Sequence, residues 1–85
     1  MVVMDWLTEV TLHLASAIGC DPADLLLDAR ASETLLDLAG TAAHASGERT
    51  NAPLLCHVLG RAVARGASLD YCARAVREFA GEGGS

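Results

Sequence analysis

Eighty-five residues carrying a net charge of −5, with six arginines and no lysine, are poorly suited to nucleic acid. Neutralising a phosphate backbone takes clustered cations, and Trp6, Tyr71 and Phe79 are too few rings for a base-stacking platform. A chain of this length buries only about 60–65% of its unfolded surface, so its core is modest and self-association is a natural supplement.

The apolar share of 52% is rich in alanine, which points to a thin core between closely spaced helices. No apolar run approaches the roughly 20 residues of a membrane span. Met1-Val2-Val3-Met4 has no basic segment before it and is interrupted by Asp5, unlike a signal peptide. Cys20, Cys56 and Cys72 are odd in number and lack a CxxC spacing, so a reduced, cytoplasmic protein is expected. Five of the six arginines lie from Arg49 onward, while acids crowd residues 5–37. The two halves are therefore expected to attract each other, within one fold or between copies.

Residues 5–18 read as the first helix. Asp5 is its cap, Gly19 its stop, and Trp6, Val10, Leu14 and Ile18 form an apolar stripe widened by Leu7 and Ala17. His13, at the edge of that face, reads as a half-buried filler. Asp21-Pro22 signals a short second helix over 22–29, which would put Asp24 and Asp28 on one face as complements to the helix dipole. Ser32 is the expected cap of a third helix over 33–46, with Leu35, Leu36, Ala39, Ala42 and Ala43 inward. Gly40 inside it costs up to about 1 kcal/mol relative to alanine, which suggests close contact with a neighbouring helix.

The connector after Gly47 is the most distinctive stretch of the chain. Asn51 reads as an N-cap and Pro53 as a first-turn proline, opening a fourth helix over 52–65. Free N–H groups and the positive dipole end gather at such a start, with Arg49 and Thr50 beside it and His44 one turn before the connector. His44, Arg49, Thr50 and Asn51 are the candidate ligand residues, for an anion or a partner. The plain alternative is a solvated Arg49 and an Asn51 that only caps. Leu55, Val58, Leu59 and Ala62 make that helix's core face, and Gly60 with Ala64 suggests a second close approach. Ser68 caps the last helix, 69–80, with Leu69, Cys72, Ala73, Val76 and Phe79 inward and an Arg74–Glu78 pair on its surface. Residues 81–85 read as a flexible tail.

No stretch alternates with period two for a strand's length. The expected fold is all-α, a compact bundle of four to five short helices in a single domain over 1–80. Cys56 and His57 are adjacent, so they face different ways, and no Cys or His pair has zinc spacing. No nucleophile elbow, phosphate loop or metalloprotease signature occurs. No catalytic residue, cofactor or metal is expected, and helix–helix recognition is the better-supported function.

Asp5-Trp6-Leu7, Gly19-Cys20-Asp21-Pro22, Leu35-Leu36-Asp37-Leu38-Ala39, Ala43-His44 and Arg49-x-x-Ala52-Pro53-Leu54, leading to Gly60-x-Ala62, occur in that order. In this order the chain resembles a small uncharacterised helical family of GC-rich bacteria, found alone or fused to molybdenum-cofactor guanylyltransferase. Thr50 stands where that family usually has proline, and the His-to-Arg spacing is one residue longer. The resemblance implies an accessory or binding role beside molybdenum-cofactor biosynthesis, with a protein of that pathway as partner. It does not imply the transferase activity. A homodimerising bundle without ligand is the second expectation, and a small His/Cys metal site or enzyme the third.

Overall fold

The computed structural model describes residues 5–81. The expected tail lies outside them apart from Gly81, as do Met1–Met4. The chain runs through α1 (Trp6–Ile18), a 3-10 turn (Pro22–Asp24), α2 (Ala29–Ser46), α3 (Asn51–Ala64) and α4 (Leu69–Ala80), with no strand among the described residues. The fold is all-α, as the periodicity predicts. No single helix among these residues is long and apolar enough to cross a membrane.

Side-chain caps set most of the boundaries. The Asp5 carboxylate accepts the Thr8 N–H at 2.8 Å, and Ser68 accepts that of Tyr71 at 3.0 Å. Gly19 closes α1 with φ 75°, where a side chain would be strained, and its N–H donates to the Ala15 and Ser16 carbonyls.

The expected helix over 22–29 is instead three residues of 3-10 turn. Asp28, extended at φ −81° and ψ 174°, breaks any continuation and caps α2, accepting the Ala31 N–H at 2.7 Å. α2 therefore starts at Ala29, and Ser32 is inside it, donating its N–H to the Asp28 carbonyl. Asp24 and Asp28 consequently share no helix face.

Packing centres on α2, which lies against both α3 and α4. Leu38 is completely buried between them and meets Leu59 and Ala73, with Leu35, Leu55, Cys72 and Val76 closing around the cluster. The expected stripe omits Leu38 and includes Leu36, which is 74% exposed. A helix flanked on two sides buries the row through Leu35, Leu38 and Thr41, and Leu36 points off it. Phe79, expected inward, is 95% exposed. The small-residue expectation also shifts. A Cβ added at Gly40 or Gly60 would meet nothing within 4 Å, so neither marks a tight crossing; the small residue in the core is Ala73.

Two ion pairs fasten α4 along α2, Arg77–Asp37 at 2.7 Å and Arg30–Asp70 at 2.9 Å. They form across helices, where the sequence suggested Arg74–Glu78 within one. Both are well exposed, so each contributes at most about 1 kcal/mol.

α1 stands apart. It packs against the 3-10 turn and against none of the other helices. Its covered face carries Thr11, Leu12 and the fully buried Ala15, while the stripe expected to enter the core faces solvent. The molecule is accordingly long, 42 × 28 × 23 Å.

Candidate functional site: an apolar groove on the three-helix unit

α2, α3 and α4 converge at the C-terminal end of α2 without filling the space between them. The groove that remains has a volume of about 630 Å³. Its walls are Thr41, Ala42 and Ala45 from α2, Leu54, Leu55 and Val58 from α3, and Ala75, Val76, Phe79 and Ala80 from α4. Ser46, the last residue of α2, and Asn51, the first of α3, complete the lining. The periodicity of each helix explains the arrangement. α3 has more leucine and valine than one core stripe needs, so Leu55 and Leu59 turn to the core while Leu54 and Val58 spill onto the groove. On α4, Val76 is shared between core and groove, and Phe79 one turn later passes the end of the core and stands in solvent.

The groove contains no titratable side chain. Its polar atoms are the hydroxyls of Thr41 and Ser46 and the Asn51 amide, and the Ser46 hydroxyl already donates to the Ala42 carbonyl at 2.6 Å. Such a lining has nothing to hold or move a proton and suits an apolar side chain.

Of the four residues singled out from the sequence, one alone lines the groove. Asn51 lines it, and His44 lines a smaller neighbouring hollow with Asp37 and Gly40 that shares Thr41, Ala45 and Ala80 with the groove. Arg49 and Thr50 lie exposed in the connector joining Ser46 to Asn51. The geometry of the helix start departs from expectation. Asn51 is the first residue of α3, and the position before it, Thr50, is already helical at φ −66° and ψ −19° with no side-chain cap. A preceding turn takes the first two donors: the Asn51 N–H goes to the Glu48 carbonyl and the Ala52 N–H to that of Arg49, each at 3.1 Å. Pro53 has none. The first two N–H groups of α3, of the kind that make a helix start attractive to an anion, are therefore engaged here.

Cys56 donates weakly to the Leu35 carbonyl at 3.9 Å, a core filler's contact, and among the described residues no group of three His, Cys, Asp or Glu could hold a metal. Asp5 has a shifted pKa: the Thr8 N–H bonded to it holds it below the usual aspartate value, with the Thr8 side chain adding to the effect.

Sequence reasoning missed the groove because it assigned every apolar stripe to the core. The available signal was excess, since α3 is apolar beyond one face and α1 has a complete stripe of its own. A family model described as a domain of unknown function (DUF6457) matches residues 1–83. No curated protein and no solved structure matches the chain.

Proposed function

We propose, for a chain that belongs to the DUF6457 family of domains of unknown function, a non-catalytic role as a helical interaction module. Its α2–α3–α4 groove seats the apolar face of an amphipathic helix, with Asn51 in its lining, Arg49 and Thr50 on the adjoining connector and His44 in a neighbouring hollow. One observation carries this reading: a groove of about 630 Å³, walled by Leu54, Val58, Val76 and Phe79 and free of titratable groups, lies open on the surface. Contiguous apolar surface of this kind characterises protein interaction sites, and helix-in-groove docking is a common way to cover it. With the first two N–H groups of α3 engaged, partner docking is better supported than anion capture.

The resemblance to domains fused with molybdenum-cofactor guanylyltransferase directs the choice of partner to that enzyme, in a reduced cytoplasm where Cys20, Cys56 and Cys72 stay free. Self-association is the second reading, favoured by the exposed stripe of α1.

The test compares binding of purified molybdenum-cofactor guanylyltransferase to the wild-type chain and to Phe79→Glu. Phe79 is 95% exposed, so the variant should fold and melt like the wild type while losing the partner. Equal binding by both would remove the groove from the account. Stabilisation by phosphate, GTP or a pterin that vanishes in Arg49→Ala would restore the anion reading.

A further inference from the structure

We propose that the helix seated in the groove is α1 of a second copy of this chain, so that two molecules exchange arms and each completes the other's four-helix bundle. This rests on the groove reading above and develops its self-association form, in which a second copy and the partner enzyme compete for one groove. The two halves of the match lie on the same chain. α1 presents Trp6, Leu7, Val10, Leu14 and Ile18 to solvent, and Leu54, Val58 and Phe79 border a trough with no helix in it. A stripe repeating every fourth residue lies along a groove between two roughly aligned helices, which is how a fourth helix joins a bundle. The groove's lining runs from Asn51 to Val58 on α3 and from Ala75 to Ala80 on α4, about 11 Å and 8 Å at 1.5 Å per residue, which takes up about two turns of the roughly 20 Å α1.

Charge supports the pairing of unlike regions. Residues 5–28 carry Asp5, Glu9, Asp21, Asp24 and Asp28 and no arginine. Residues 49–81 carry five arginines against Asp70 and Glu78. Across α2–α4 as a whole, six arginines stand against Glu33, Asp37, Glu48, Asp70 and Glu78, so the unit is nearly balanced and an acidic arm is repelled more by another arm than by the groove's unit.

The arm does not fill its own groove, since α1 packs against none of α2, α3 and α4. α1 joins the bundle at the N-terminal end of α2, whereas Thr41–Ser46 wall the groove about 18–26 Å further along that helix. The junction is also built firmly. Ala15 is fully buried, the Cys20 N–H donates to the Ala15 carbonyl at 3.0 Å, and the chain bends by 119° between α1 and the segment Pro22–Ser46.

The area is sufficient. The chain exposes 6559 Å², where a compact monomer of this length exposes about 4,800 Å². The excess, on the order of 1,000 Å² or more, covers the roughly 800 Å² that each partner contributes to a standard interface.

Trp6, the sole tryptophan and 74% exposed on the arm, reports directly. The experiment follows molar mass by light scattering and Trp6 emission across concentration for the full chain, Leu14→Glu in the arm and Val58→Glu in the groove. Both positions are more than half exposed, so both variants should keep the fold. The wild type should double in mass as concentration rises, with Trp6 emission moving to the blue, and each variant alone should stay at single-chain mass. An equimolar mixture should regain association, because the intact arm of Val58→Glu meets the intact groove of Leu14→Glu. A wild type of single-chain mass throughout would overturn the exchange, and blue emission in that monomer would place α1 in its own groove. A dimer that survives both charges would overturn it too, by locating the contact elsewhere. The groove reading fails separately, through unchanged guanylyltransferase binding by Phe79→Glu.

Discussion

α1 and the three-helix unit are built from similar residues and end up with opposite relations to water. α2 buries Leu38 completely because α3 and α4 flank it, whereas α1, with a more regular stripe of large side chains, keeps Trp6 at 74% exposure. Amphipathicity specifies that a helix has a face to cover and leaves open what covers it. In α2 the cover comes from the same chain. In α1 the small face, around Ala15, is covered and the large one is left free.

The contrast is sharpest within one turn of α2, where Leu38 and Leu36 differ most. Leu38→Ala should lose about 2–5 kcal/mol by emptying the centre of the core, and Leu36→Ala should stay within about 0.5 kcal/mol of the wild type. Chemical denaturation measures both. Equal losses would show that Leu36 is covered in solution, and a small loss for Leu38 would show that the core is elsewhere. A step down in size, Ala15→Leu overfills the seat between α1 and the 3-10 turn and should cost about 1–3 kcal/mol. Hydrogen exchange should then rise in α1 and remain unchanged in α2. A rise spread over both would mean that arm and bundle unfold as one unit.

The glycines inside α2 and α3 give a smaller effect of opposite sign. Gly40 and Gly60 have open space where a Cβ would go, so alanine adds helix propensity without a clash. Gly40→Ala and Gly60→Ala should each stabilise by about 0.5–1 kcal/mol. Destabilisation would reveal a close neighbour, in the same chain or in a second one, and would restore the close approach that the sequence suggested.

The helices, their order and most of their ends were legible because caps and glycines act locally. Asp5, Gly19, Gly47 and Ser68 need only their neighbours in the chain. Asp28 went unrecognised as a cap because Asp21-Pro22, an equally good start signal, precedes it and ends after one turn. Partner choice was less legible. Whether Leu35-Leu36-Asp37-Leu38 turns Leu36 or Leu38 inward depends on how many helices flank α2, which periodicity does not carry. Of the candidate site, Asn51 was legible as the start of a helix. The groove above it was not, since it arises between three helices and belongs to none of them.

The smallest test isolates the arm by pH. The Thr8 N–H bonded to the Asp5 carboxylate lowers that group's pKa in the folded arm, and the charge also favours the positive end of the α1 dipole. A carboxyl whose folded pKa lies below its unfolded one contributes its full stabilisation above the unfolded value. It loses that contribution as pH falls through the folded one. Acidification below the usual aspartate range should therefore fray the first turn of α1, and Trp6, the first helical residue, should change its emission there. Asp5→Asn keeps a capping oxygen without the titration and should flatten that response. If Asp5→Asn titrated like the wild type, the change would belong to other carboxylates.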